Sequence, residues 1–160
     1  IPIFGICFGH QIIAQAYGAR VEKSDRGWGV GSQRYVMDAD EHVDADIAVH
    51  VFHQDQVLEV PDRAKLIGKN DFCAIGALRY DCAALSVQFH PEFSDGYMST
   101  LLDIRGNTIL SPDITARARQ SLSDEPNNAH VAQWVANFFH TSVEGSVPNS
   151  EEPLASSISA

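Results

Sequence analysis

Cys7 stands between two glycines, in Gly5-Ile6-Cys7-Phe8-Gly9, behind an apolar run from Ile1 to Ile6 and ahead of a helix-forming stretch opening on His10-Gln11. A reactive side chain carried on a sharp strand-to-helix turn has the layout of a nucleophile elbow. Glycine on both sides lets such a turn close and pack with no Cβ in the way. Sulfur at the start of a helix faces unpaired amides and the positive end of the dipole, which favour a thiolate. The amide of Phe8 is then placed to serve as a donor of an oxyanion hole. Taken alone, the same five residues also describe a buried cysteine in a glycine-rich turn. A second motif separates the two. Leu85-Ser86-Val87-Gln88-Phe89 alternates as a strand does and runs into His90-Pro91-Glu92. Proline holds the preceding residue extended, and residues two apart in an extended segment share a side, so His90 and Glu92 meet. A carboxylate on one imidazole nitrogen orients the ring and leaves the other nitrogen for a thiol. Cys7, His90 and Glu92 thus form a candidate nucleophile, base and orienter.

The elements that must position them read as one α/β domain. Residues 1–6 are a strand and roughly 8–17 a helix, with Ile12, Ile13, Ala16 and Tyr17 on its apolar side and Gly18 as its stop. Trp28, in the glycine-punctuated turn Arg26-Gly27-Trp28-Gly29-Val30-Gly31, either packs or faces the mouth of the site. Further strands are predicted at 33–37, 46–52, 64–67, 73–79 and 84–90. The acidic stretch from Asp38 to Asp46, with His42 in it, has a spacing that suits no coordination shell and reads as a solvated loop. Ser94 caps a helix carrying Tyr97, Met98, Leu101 and Leu102, and Ser111-Pro112-Asp113 opens another. Val131, Trp134, Val135, Phe138 and Phe139 make an apolar stripe that docks on the sheet. From Thr141 onward the composition predicts a disordered tail, which divides the chain into a domain at 1–140 and a tail at 141–160.

Composition narrows the function classes. The chain has 160 residues, 44% of them hydrophobic, and a net charge of −10. That is enough for one core, and an acidic surface argues against nucleic-acid and anionic-membrane partners. Cys7, Cys73 and Cys82 are widely spaced with no CxxC, so neither a disulfide framework nor a zinc site is expected. Cys73 and Cys82 read as inert core residues. No apolar run approaches the ~18 residues of a membrane span and no signal peptide is visible, which fits a soluble cytoplasmic enzyme.

Gly-Ile-Cys-Phe-Gly-His-Gln together with Gln-Phe-His-Pro-Glu resembles the class I, triad-type glutamine amidotransferases. Val51-Phe52-His53-Gln54-Asp55-Gln56-Val57 looks like the His-x-Asp-x-Val loop of that family, and the order and separations agree. The likeness runs from about Ile1 to Phe139 and is nearest to stand-alone domains similar to the amidotransferase half of GMP synthase, with Gln54 where those enzymes usually carry glycine. It implies a three-layer, flavodoxin-like fold: a mostly parallel sheet with helices on both faces. Family members carry several βα units of roughly 30 residues each ahead of the nucleophile. The sequence is therefore expected to be the C-terminal portion of a longer reading frame, without the glycine-rich loop that supplies a second oxyanion donor.

What the resemblance implies chemically is hydrolysis of the glutamine side-chain amide through a γ-glutamyl thioester on Cys7, with His90 moving the proton and no metal or organic cofactor. Phe8 supplies an oxyanion amide and Gln11 contacts the substrate. Phe52, Gln54 and Asp55 lie in the segment that holds the amino-acid end. His53 and Asp55 either act directly or hold the loop by their own hydrogen bonds. His10 receives no role. No Walker-type loop or Ser-Gly-Gly signature is present, so an ammonia acceptor would be a separate synthetase subunit. Three alternatives stay open: a γ-glutamyl peptidase or hydrolase with the same triad, a catalytically silent binding or regulatory subunit, and a cysteine redox sensor. The last leaves His-Pro-Glu unexplained.

Overall fold

A computed structural model describes residues 1–106 and 108–144. The chain runs through β1 (Ile3–Ile6), α1 (Phe8–Ala16), β2 (Val21–Lys23), β3 (Gly29–Met37), a 3-10 turn at Ala39–Glu41, β4 (Asp46–His53), β5 (Asp55–Val57), β6 (Ala64–Lys69), β7 (Ala77–Tyr80) and β8 (Ala84–Val87), and closes with α2 (Asp95–Arg105), α3 (Pro112–Ser121) and α4 (Asn128–Glu144). Six strands form one sheet in the order β1-β8-β7-β6-β3-β4, and β2 pairs with β5 in a separate two-stranded ribbon. The expected parallel character is carried in this chain by β1 and β8, while the other pairings are antiparallel. That parallel pair is the one the site depends on. Its register sets Ile6 beside Val87, so the residues that follow both strands emerge at the same edge of the sheet.

The layers follow from strand alternation. Leu85 and Val87 enter a core with Tyr35, Ile47, Val49, Val51 and Phe89, which α4 covers with Val131, Trp134 and Phe138. Ala84 and Leu78 point the other way, into a core with Ala14 of α1 and Val57 of β5. A strand buried on both faces must carry apolar residues at odd and even positions alike, as β8 does. A third cluster, built on Met98 and Leu102 of α2 and Ala118 of α3, gathers Trp28, Phe52 and Phe93 beside the site. The Ser94 and Ser111 caps form as expected, their hydroxyls accepting from the amides of Tyr97 and Ile114.

Several expectations are corrected. The apolar side assigned to α1 is only half its packed side: Ile13 and Tyr17 pack against the second core, but Ala16 is exposed and Ile12 47% exposed, while His10, Gln11 and Ala14 are the buried residues, because β8 and β5 offer polar partners to the helix. β7 begins at Ala77 rather than residue 73, since the Asn70 side chain accepts from the amides of Phe72 and Cys73 and holds that stretch in a turn. The acidic loop is not wholly solvated: Glu41 is buried and accepts from Arg79 at 2.8 and 2.9 Å. Among the described residues no metal-binding cluster occurs there. Cys73 is buried, and that burial pushes its thiol up to about 11, as an inert core residue should show, but Cys82 is exposed beside the Tyr17 hydroxyl. In the docked stripe Phe139 stays 37% exposed. Helix α4 continues through 141–144, and the rest of the expected tail, 145–160, lies outside the described residues.

Candidate active site

The bend between β1 and α1 is set by the backbone of Cys7 itself, at φ 48° and ψ −99°. A side chain in that region is strained, and such strain survives only where the surroundings over-determine it. Two restraints do so here. The Cys7 amide donates to the Val87 carbonyl at 2.8 Å, and its carbonyl accepts from the Gln11 amide at 3.1 Å. Gly5 is required by close approach, since a Cβ there would lie 2.6 Å from Ile13 Cδ1 and 2.8 Å from the Gly9 carbonyl group. Gly9 is different: a Cβ would meet nothing within 4 Å, so the steric need expected on both sides holds only at Gly5.

Past β8 the chain stays extended, and the His90 amide donates to the His50 carbonyl of β4 at 2.8 Å. His90 Nδ1 bonds Glu92 Oε1 at 2.6 Å, and the ring stacks on Phe93 with centroids 4.0 Å apart and planes 13° off parallel. The structure therefore brings His90 and Glu92 together as the extended spacing required. Burial works against a charged ring at His90, but hydrogen bonds to Cys7 and Glu92 and their charges outweigh it and raise its pKa to about 9. The geometry suits proton exchange between sulfur and an imidazole held by a carboxylate.

A cavity of about 360 Å³ opens over Cys7. Gln11, Phe52, Gln54 and Asp55, all but one of the residues expected to contact substrate, line it together with Lys23, Trp28 and His53. The exception is Phe8, whose side chain is 68% exposed on the first turn of α1 and whose contribution would be its amide. Gln11 Nε2 donates to the Asp55 carbonyl at 2.9 Å and to Gln88 Oε1 at 3.1 Å. The same Asp55 carbonyl accepts from His53 Nδ1 at 3.1 Å, so His53 holds the loop. Burial, first of all, lowers the pKa of His53 to about 4 and keeps it neutral, with the charge of His90 adding in the same direction. His10, also lowered to about 4 by burial, is a core residue bonded to Ser86 Oγ at 2.8 Å and to the Ile75 carbonyl at 3.2 Å.

Two residues of the site went unassigned at the level of sequence. Gln88 is fully buried and its Nε2 points at Cys7 Sγ from 3.5 Å, linking sulfur through Gln11 to the Asp55 carbonyl. Its signal was present, because the period that puts His90 and Glu92 on one side puts Gln88 there too. Lys23 had none. It reaches the cavity only through the β2–β5 register, which sets it opposite Asp55.

The chain is similar to several known proteins in sequence and in fold. The chain is 29% identical over 145 residues to a glutamine amidotransferase-like protein of Schizosaccharomyces pombe, covering 87% of this chain and 58% of that one. It is 27% identical to gamma-glutamyl peptidase 5 of Arabidopsis thaliana, covering 86% and 59%. With a glutamine-hydrolyzing GMP synthase subunit of Methanopyrus kandleri it shares 34% over 102 residues, covering 58% and 52%. The chain thus spans between half and three fifths of the length of these curated relatives. In fold it is similar to a glutamine amidotransferase from Thermotoga maritima, at TM-score 0.67 and 20% identity over 86% of this chain and 62% of that one. That likeness confirms the flavodoxin-like α/β fold. The model of the family "Glutamine amidotransferase class-I" matches residues 1–103, which hold the elbow, the 52–55 loop and His-Pro-Glu alike, and on that match this chain belongs to the class I glutamine amidotransferase family.

Proposed function

We propose that the chain hydrolyses a γ-glutamyl amide, with glutamine as the reference substrate and Cys7, His90 and Glu92 as nucleophile, proton carrier and orienter. The observation that carries this reading is a strained cysteine at the mouth of a cavity of about 360 Å³, beside an imidazole whose proton is held first by Cys7 and then by the Glu92 carboxylate. Sulfur adds to Cδ, the carbonyl oxygen becomes an oxyanion facing the Phe8 amide, and the Cδ–N bond breaks as His90 gives its proton to the departing nitrogen. Water then adds to the thioester with His90 as base, the Sγ–Cδ bond breaks, and glutamate leaves with the thiol restored. Lys23 and Asp55, cross-strand neighbours on the β2–β5 ribbon, bring opposite charges side by side to the cavity, which suits the α-carboxylate and α-ammonium of a γ-glutamyl group. Gln11, Phe52 and Gln54 complete that end. The chemistry requires no cofactor.

Two fates of the nitrogen follow. Relatives named as glutamine-hydrolyzing GMP synthase subunits support transfer of ammonia to a separate synthetase partner. The γ-glutamyl peptidase relatives support simple hydrolysis, and the likeness to them extends over 86% of this chain. Both reactions fit a cytoplasmic enzyme without nucleic-acid or membrane partners, and among the described residues no helix is long and apolar enough to cross a membrane. The test is intact mass after exposure to a glutamine-mimicking electrophile, with Cys7→Ala beside it. One adduct, absent from the variant, is the expected result; a folded protein that takes none would overturn the reading and favour a silent binding role.

A further inference from the structure

Trp28 lines two cavities. Beyond the one over Cys7 lies a second, of about 330 Å³, walled by Arg26, Ser32 and Gln33 from one side and by Arg117 and Ser121 of α3 from the other. The two are also joined through Phe72, which lines the second and packs edge-on against His53 of the first with centroids 5.9 Å apart.

The charges of the second cavity are unbalanced. The chain carries a net charge of −10, and Arg20, Arg34, Arg63, Arg79 and Arg119 each pair with an Asp or Glu. Among the described residues Arg26 donates to the Asp71 carbonyl and Arg117 has no ion pair, and no carboxylate lines the cavity both of them face. Ser32 Oγ is enclosed there without a hydrogen-bond partner. Two guanidinium groups and an unused hydroxyl in a protein rich in carboxylates are a site short of an anion. The walls are held in place: at Gly31, φ +95°, a Cβ would come within 2.4 Å of Ser121 Oγ and 2.9 Å of Ala118 Cα, so α3 sits directly on β3.

We propose that this cavity binds the carboxylate of the leaving amine, and that the favoured substrate is a γ-glutamyl amino acid or short γ-glutamyl peptide rather than glutamine. The inference rests on the γ-glutamyl chemistry proposed above. Once Cys7 has attacked and the γ-glutamyl unit fills the first cavity, whatever is attached to the amide nitrogen must extend out of it. The cavity beyond Trp28 is the neighbouring space with the charge to receive an acid. The covalent step is unchanged: the Sγ–Cδ bond forms, the Cδ–N bond breaks, and the nitrogen leaves with the His90 proton as an amino acid instead of ammonia. The two walls have different origins: Arg26, Ser32 and Gln33 lie within the residues 1–103 that the family model matches, whereas helix α3, which supplies Arg117 and Ser121, lies past them.

The test compares kcat/KM for glutamine, γ-glutamylglycine and the C-terminal amide of γ-glutamylglycine, in the wild-type chain, Arg117→Gln and Arg117→Lys. Wild type is expected to favour the free acid over its amide by about tenfold or more, the scale of a charge-assisted hydrogen bond. Arg117→Gln should bring that ratio towards one, and Arg117→Lys should restore part of it. If glutamine is hydrolysed at Cys7 but the ratio is the same in all three proteins, the subsite is refuted and the chemistry stands. If no γ-glutamyl compound is turned over and Cys7 takes no adduct, the underlying reading fails and the subsite with it.

Discussion

Cys7→Gly should be more stable than Cys7→Ala. The comparison isolates the backbone, because both changes remove the sulfur and with it the contacts to Gln88 and His90. At φ 48° and ψ −99° an L residue lies outside the left-handed well, whose ψ is positive. Holding a non-glycine residue in such a region costs about 1–3 kcal/mol. Glycine escapes that cost but loses more chain entropy on folding, a penalty of roughly 0.5–1 kcal/mol against alanine. The difference that remains is about 1 kcal/mol in favour of Cys7→Gly, or about 2–4 °C in Tm for a domain of this size. Urea titrations and thermal melts of the two variants would measure it, with equal m-values confirming that the unfolded states match. An alanine variant as stable as the glycine one would show that the elbow stores no strain, and that the backbone does not force sulfur into the cavity.

Other perturbations test the site around it. Gln88→Leu keeps the volume but removes the donor aimed at sulfur and leaves a Gln11 N–H short of a partner, so stability should fall by about 1–3 kcal/mol. In that variant the rate of Cys7 alkylation at a fixed pH should also fall; an unchanged rate would make Gln88 a packing residue only. His90 should keep its proton to about pH 9 by NMR, and both Cys7→Ala and Glu92→Gln should lower that midpoint. Its folded value is raised, so its contribution to stability is complete below the ordinary 6.5 and is lost as pH rises through about 9, a loss on the order of 1–3 kcal/mol in urea titrations across that window. Gly5→Ala should destabilise strongly, by about 2 kcal/mol or more, whereas Gly9→Ala, in open space on a helix, should be neutral or stabilising by up to about 1 kcal/mol. Equal costs at the two glycines would contradict the packing described for the elbow.

Local chemistry was legible in the residues alone. A strand, a cysteine and a helix in immediate succession specify the elbow, because the bend is made within a few residues. His90-Pro91-Glu92 specifies its own contact for the same reason, and the Ser94 and Ser111 caps and the α4 stripe are likewise short-range statements about backbone and period. What the tertiary structure decided is which of these local features meet. The parallel pairing of β1 with β8, across some eighty residues of chain, brings sulfur, imidazole and Gln88 to one edge. Polar partners on β8 and β5 carry His10 and Gln11 inward beside Ile13 and Tyr17, which the apolar pattern of α1 alone did not specify. The same kind of long-range closure set Lys23 against Asp55, buried Glu41 under Arg79, and put Arg26 and Arg117 around one cavity. Residue type and spacing state what a side chain is able to do, while its partner is fixed by chain closures whose free energy is spread over the whole core and written in no single segment.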